Sequence, residues 1–452
     1  MRCFPSVAEA AGLLDSGAVS SLTLTQAAIA CMDDPRGEGQ RVMVRRNDER
    51  ALKLAEASDL VRQAGQKRSP LEGLTVSIKD LFDLKGETTL AGSIALKGRP
   101  PALQNAVVVQ RLLAAGAVIT GTTTMSEFAF SGIGINPHYG TPLNPYDRAT
   151  GRVPGGSSSG AAVSVTDGMA VAAIGTDTGG SIRIPAALCG LTGFKPTARR
   201  VSAEGVVPLS TSLDSIGPLA ATVKCCAILD SIISGAGGRI PLPRSVNGLR
   251  LAVPQTVVLD GMDAIVSGAF GRALSKLAEA GAVIREIALD EFSELAEIYA
   301  RGNMVAAEAF AWHRDLVAEK GAEYDPRVRA RIEKGGHLSA ADYIRTLQTR
   351  TVWKQRVLKE VCGFDALIMP TVPVIAPELQ PLLQDDAEFF KTNGLLLRNP
   401  TMINFLDGCA LSIPVQAEDE APVGLMIAGT EMQDEAILSI GLGIEQVLAA
   451  HR

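Results

Sequence analysis

Histidine is scarce in this 452-residue chain: four stand at positions 138, 313, 337 and 451. The usual base for activating a serine is therefore in short supply, and no local motif sets one of the four beside a nucleophile. Aromatic residues make up only 4% of the sequence, so aliphatic side chains must fill the core. The seven cysteines, at 3, 31, 189, 225, 226, 362 and 409, include no C-x-x-C pair, which removes the common zinc spacings. Scattered thiols in odd number fit a reducing compartment and read as inert packing. An apolar leader is missing too: MRCFPSVAEAAGLLDSG carries Pro5, Glu9 and Asp15 where a signal peptide needs an unbroken greasy run. One apolar stretch, 161–176, is too short to span a bilayer and contains Asp167. Nor is there an excess of positive charge. The net charge of −6 is a poor match for nucleic acid or an anionic membrane surface. The expectation is a cytoplasmic protein with neither nucleic acid nor membrane as a direct partner.

What is present describes a large folded chain. Apolar residues are 46% and charged residues 20%, which excludes extensive disorder. Residues 6–63 read as amphipathic helices broken around 33–39. LEGLTVSIKD (71–80) alternates, with Leu74, Val76 and Ile78 on one face and Thr75, Ser77 and Lys79 on the other. NAVVVQRLLAAGAVITGTTT (105–124) reads as helix, turn and strand, with Asn105 as cap and Gly116 as stop. ALSKLAEAGAVIREIAL (273–289) has the same form, and two such units point to βαβ architecture with a largely parallel sheet. Residues 292–361 read as helical. Strands return at 363–374, 409–415 and 423–428, and a helix closes the chain at 433–450. No linker composition divides the sequence, so a single domain is expected.

The chemistry concentrates in residues 154–197. Two Gly-Ser loops lie there, Pro154–Gly160 (PGGSSSG) and Thr176–Ser181 (TDTGGS), separated by a small-residue segment with room for a helix and a buried strand. Neither loop has a P-loop or dinucleotide pattern, and the chain has no G-x-S-x-G elbow. Paired glycines allow backbone N–H groups to converge. Pro185 suits the first turn of a short helix that Gly190 would end. That places Ser181 near a helix start, among the donors an acyl-transfer oxyanion needs. For the base, a histidine and a lysine both remain open. Lys79 is the lysine on the polar face of an alternating strand, and it serves as a base only if its surroundings keep it partly neutral. Taken singly, Lys79 is an exposed strand charge and the two serines are turn formers.

Taken together, GLTVSIKDLFD with Lys79, GGSSSG at 155–160 and GTDTGGSIRIPAALCGLTGFKPT at 175–197 resemble the amidase signature family. NPHYGTPLNPYDR (136–148) and NFLDGCALSIPV with APVGLMIAG (404–429) are also similar. The resemblance implies one α/β/α domain over residues 1–452, with a large, mostly parallel, twisted mixed sheet covered by helices. Its parts would be N-terminal helices (1–65), a signature core (66–235), a helical segment (292–362) and C-terminal strands with a helix (363–452).

It also implies a Ser–cisSer–Lys triad. Ser181 would be the nucleophile, Ser157 the bridging serine on a cis bond from Gly156, and Lys79 the general base. Oxyanion donors would come from Thr178, Gly179, Gly180 and Ser181. Ser158, Asp177 and Arg183 would brace the site. Ala129, Phe130 and Ser131 would border the acyl pocket; the competing reading makes Phe128 and Phe130 core packing. The basic stretch 323–334 is a solvated helix face, or one of its arginines reaches a substrate carboxylate. No metal or organic cofactor is implied. The expected activity is hydrolysis of a small carboxamide. The alternatives are the glutaminase component of a tRNA-dependent amidotransferase, working in a heteromeric complex, and a non-catalytic ligand-binding homologue. The amide and the oligomeric state, a homodimer included, stay open.

Overall fold

All five residues of Thr75–Lys79 are buried, so the strand that alternates in sequence is covered on both faces. Its polar side finds partners instead of water: the Ser77 hydroxyl shares a 2.7 Å hydrogen bond with Ser164 on the helix Ser159–Thr166. Buried hydroxyls need such partners. The computed structural model describes residues 5–450, and Cys3 and His451 lie outside them.

Eleven strands form one sheet among the described residues: β1 (Met43–Arg46), β2 (Thr75–Lys79), β3 (Val118–Thr123), β4 (Ala172–Asp177), β5 (Thr192–Lys195), β6 (Ser215–Ala220), β7 (Arg250–Pro254), β8 (Val283–Ile287), β9 (Ala366–Pro370), β10 (Cys409–Pro414) and β11 (Gly424–Gly429). Their order is β1-β3-β2-β4-β6-β5-β10-β11-β9-β7-β8. The expected large mixed sheet with covering helices is present, but parallel pairing has a smaller share than the βαβ units suggested. Four pairings are parallel, β2 with β3 and β4, and β7 with β8 and β9. The other six are antiparallel. The two helix–strand phrases do sit on parallel pairs. Between them, shorter connections such as that from β10 to β11 turn the chain directly back, which only antiparallel pairing permits.

Several local expectations are corrected. RVMVRR breaks the N-terminal helices with the edge strand β1, which pairs with β3. Asn105 does not cap the helix Val107–Ala114; the cap position is Ala106, and the Asn105 Oδ1 accepts from the Lys85 N–H at 2.8 Å. Gly116 does stop that helix, with φ +88°. The helix Asp386–Leu406 has no clean sequence pattern, because Gly394 and Pro400 fall inside it. Among the described residues, no helix is long and apolar enough to cross a membrane.

The late segment forms the helices Glu291–Arg301, Met304–Lys320, Pro326–Glu333 and Ala340–Val361. Trp353 fixes them to the rest. It is fully buried, stacks on Phe292 with centroids 6.1 Å apart, meets Phe405 edge-on at 5.1 Å, and donates Nε1–H to the Glu291 carbonyl at 2.7 Å. Truncation to alanine removes the ring contacts and leaves a cavity. Trp353→Ala is expected to lower unfolding stability by about 3–5 kcal/mol in urea denaturation. An unchanged midpoint would show that this packing does not hold the segment.

Candidate active site

Lys79 is the last residue of β2, and β2 pairs with β4, which carries Thr176. The lysine is fully buried. Its Nζ donates to Ser157 Oγ at 2.7 Å and to Thr176 Oγ1 at 2.9 Å. Both acceptors are neutral hydroxyls. Burial therefore pushes the amine down to about 7, and the more distant charges of Asp214 and Asp177 only partly oppose the shift. Near neutral pH a substantial fraction of Lys79 carries no charge.

The first Gly-Ser loop is held by the segment 124–134. Gly156 N–H donates to Gly132 O at 2.8 Å, Ser126 N–H to Ser157 O at 3.1 Å, and Gly160 N–H to Thr124 O at 3.0 Å. The Gly156–Ser157 peptide is cis. No side chain fits at Gly156, because a Cβ there would stand 2.5 Å from Gly134 N. Ser158 joins the two loops: its N–H donates to Ser181 O and its hydroxyl to Thr176 O, both at 3.3 Å.

The second loop is organised by Asp177. Its carboxylate accepts from Gly180 N–H (2.8 Å), Ile182 N–H (3.2 Å), Arg183 Nε (3.0 Å), Arg183 Nη2 (2.9 Å) and Asn404 Nδ2 (2.9 Å). Burial alone would raise this carboxyl, but the Arg183 charge and these hydrogen bonds hold it well below the usual carboxylate range. Arg183 is itself fully buried and also donates to Pro400 O at 3.1 Å. The helix Arg183–Cys189 follows, with Pro185 in its first turn and Gly190 closing it at φ +72°. Cys189 lies in its last turn, where burial pushes the thiol up and Sγ donates to Pro154 O at 3.3 Å.

One expected oxyanion donor is corrected. Gly180 N–H points at Asp177 Oδ1 and is already committed. Among the described residues, the N–H groups of Thr178, Gly179 and Ser181 donate to no protein acceptor, and all three residues line a cavity of about 430 Å³. The Thr178 hydroxyl is held by Asp214, whose carboxyl burial pushes up to about 6. The structure brings Lys79 and Ser157 into direct contact. Ser181 lines the cavity, which Lys79 and Ser157 do not; the Ser158 N–H ties its carbonyl to the first loop, and no hydrogen bond joins the Ser157 and Ser181 hydroxyls.

Ala129, Phe130 and Ser131 lie on the cavity wall. Phe128 does not: it packs against Trp312, His313 and Tyr324, with centroids 6.1, 4.3 and 5.0 Å away. The wall loop bends through the left-handed region at Phe128 and Ala129 (φ 50° and 59°). Glu127 anchors it, accepting from the Ser93 hydroxyl at 2.6 Å and the Asp325 N–H at 2.7 Å and pairing with His138 at 2.9 Å. No described histidine lines the cavity.

Three wall residues carried no individual signal in the sequence. Asn393 Oδ1 accepts from the Ser131 hydroxyl at 3.1 Å and from Gly132 N–H at 2.8 Å. Arg331 lies in the basic stretch, which did not single it out; its Nη1 donates to Phe130 O at 2.6 Å and its guanidinium sits 4.3 Å over the Phe130 ring. Arg398 lines the cavity from the helix Asp386–Leu406. Among the described residues, no group of three His, Cys, Asp or Glu side chains is placed to hold a metal ion.

The amidase family model matches residues 40–438. A 2-amino-5-chloromuconic acid deaminase of Comamonas testosteroni is 37% identical, over 88% of this chain and 87% of its own. A glutamyl-tRNA(Gln) amidotransferase component of Chloroflexus aggregans is 34% identical, over 99% and 97%. The crystal structure of an amidase superposes with TM-score 0.87 at 34% identity, covering 98% of this chain and 99% of that one. With the sequence motifs, the sheet and the whole length all in agreement, the chain belongs to the amidase signature family.

Proposed function

We propose that the protein is an amidohydrolase that cleaves a small carboxamide through an acyl-enzyme on Ser181. The observation that carries this reading is the 2.7 Å hydrogen bond from a fully buried Lys79 to Ser157 Oγ. A neutral amine in that position removes a proton from Ser157 as Ser157 removes one from Ser181. The Ser181 oxygen attacks the amide carbonyl, and the negative oxygen is received by the free N–H groups of Thr178, Gly179 and Ser181. Ser157 then returns a proton to the leaving nitrogen. Water releases the acid by the same relay in reverse. A histidine-based triad has less support, because no described histidine reaches the cavity.

The second reading, the glutaminase component of a larger complex, draws on the amidotransferase relatives. The cavity argues against it. Glutamine carries an ammonium beside its carboxylate, and among the described residues no Asp or Glu lines the cavity to receive the ammonium. The deaminase relative also acts, by its name, on a carbon–nitrogen bond in an acid. The reading favoured here is a free-standing hydrolase.

Two measurements test it. Ser181→Ala is expected to fold normally and release no ammonia from a panel of amides; full turnover would remove Ser181 as nucleophile. The base must be unprotonated to act, so kcat/KM is expected to fall about tenfold per pH unit below about 7. Lys79→Arg keeps a permanent charge and is expected to lose about 10²- to 10⁴-fold in rate. A flat profile between pH 5 and 8, or an active Lys79→Arg enzyme, would refute the lysine base.

A further inference from the structure

The turn that leads into β6 is clamped by two carboxylates. β4 and β6 pair antiparallel, with Asp177 opposite Ser215. One step further along, Thr178 meets Asp214, and the Thr178 hydroxyl donates to Asp214 Oδ1. Asp214 Oδ2 accepts from Leu209 N–H at 2.9 Å and from Ser210 N–H at 3.1 Å. Thr178 and Leu209 both line the cavity, and Asp214 stands behind them. Glu308, from the helix Met304–Lys320, holds the other side of the turn. It accepts from the Ser210 hydroxyl at 2.8 Å, Ser212 N–H at 3.0 Å and the Tyr343 hydroxyl at 2.7 Å.

Asp214 also carries charge to the base. It comes first among the charged groups that act on Lys79, and Asp177 second. The two differ in their surroundings. Asp177 has the Arg183 guanidinium against its oxygens at 2.9 Å. Among the described residues no cation pairs with Asp214, and the charge that faces it from the neighbouring helix is another carboxylate, Glu308. Burial pushes the Asp214 carboxyl up to about 6, which leaves it mostly ionised at pH 7. A buried charge with no counter-ion in contact acts over a longer range than one held in an ion pair. The hydrogen bonds alone do not call for that charge. An asparagine could accept both N–H groups at Oδ1 and donate Nδ2–H to Thr178 Oγ1, without the cost of burying an anion. The anion therefore has a use beyond closing the turn.

We propose that Asp214 is a positioning residue with two tasks: it fixes Thr178 and Leu209 in the cavity wall, and it supplies the uncompensated negative charge that favours the protonated form of Lys79. These tasks presuppose the amidohydrolase reading of Lys79 and Ser181. The second task has a place in that reaction. The amine that takes the serine proton must keep it until the leaving nitrogen receives one through Ser157. A desolvated ammonium with no negative charge nearby would hand it back too early, and a weaker base abstracts less well.

The test follows the labelling of Ser181 by a fluorophosphonate probe, which needs no knowledge of the amide. Ser181 Oγ forms the bond to phosphorus, fluoride leaves, and the serine proton passes through Ser157 to Lys79. Rates are read by intact mass from pH 5 to 9. Asp214→Asn is expected to displace the acid limb of the rate to lower pH by about 0.5–1 unit. Asp214→Ala is expected to displace it equally and to lower the plateau rate about 10- to 100-fold below that of the Asn variant, because Thr178, Leu209 and Ser210 lose their acceptor. If the Ala variant does not fold, Thr178→Val reads the hold from the other side, with a plateau loss of about tenfold expected. A merely structural role would lower the melting temperature and leave the limb in place. An unmoved limb in Asp214→Asn would overturn the proposal, and so would an undiminished plateau in the folded Asp214→Ala or Thr178→Val variant. Failure of the lysine–serine reading looks different: wild-type Ser181 would take no label, or take it at one rate from pH 5 to 9, and the role of Asp214 would fall with it.

Discussion

The candidate site depends on a lysine buried without a carboxylate in contact. In water Lys79 would hold its proton far above neutral pH; inside the sheet, with only the hydroxyls of Ser157 and Thr176 as acceptors, the charged form loses its solvation. A direct ion pair would restore the charge and remove any basicity. Two carboxylates act on Lys79 from a distance, Asp214 and then Asp177, and the second, on the strand beside it, is occupied by other partners. Arg183 and three loop N–H groups take up its oxygens. The buried Arg183–Asp177 pair is thus better understood as charge management than as stabilisation. Such pairs contribute little net stability against apolar replacements, but this one engages the Asp177 carboxylate, which makes no hydrogen bond to the proposed base among the described residues.

The same pair shapes the donors opposite the base. With Gly180 N–H turned to Asp177, the loop closes around the carboxylate and leaves the N–H groups of Thr178, Gly179 and Ser181 without acceptors at the cavity. Gly180 has φ +128°, and any side chain there would collide with Ile184 and Pro400. Its glycine is required by geometry twice over. Pro400, awkward within a helix, has a part in this: its carbonyl accepts from Arg183 and its ring closes over Gly180. A residue that obscures the helix in the sequence is one that the site uses.

What the sequence revealed and what it hid divide along contact range. The Gly-Ser loops, the short helix between Ser181 and Gly190, and the strand ending in Lys79 are set by local pattern, and all were legible. Asn105 was misread because its cap geometry competed with a contact to Lys85 across a loop. The strand β1 exists because β3 offers it an edge, which RVMVRR alone cannot announce. The cavity wall was the least legible part. Ser131 meets Asn393 from 262 positions away, and Arg331 meets the Phe130 carbonyl from 201 positions away. Periodicity and turn chemistry carry no information over such distances.

That division has a functional counterpart. Lys79, Ser157 and Ser181 sit on or beside β2 and β4, with buried residues on every side, so their geometry is fixed by the same contacts that fix the sheet. Much of the opposing wall comes from helices between 291 and 406, and Phe292, Leu295 and Met402 belong both to that wall and to the core that packs these helices. Substitutions at Arg331 or Arg398 touch neither the sheet nor the loops that carry the serines. A chain built this way can change its cavity wall while keeping the lysine–serine arrangement. The relatives at comparable identity, one named for a chloromuconic acid and one for a tRNA-linked amidotransferase, differ in their named substrates, which is where such a division allows change.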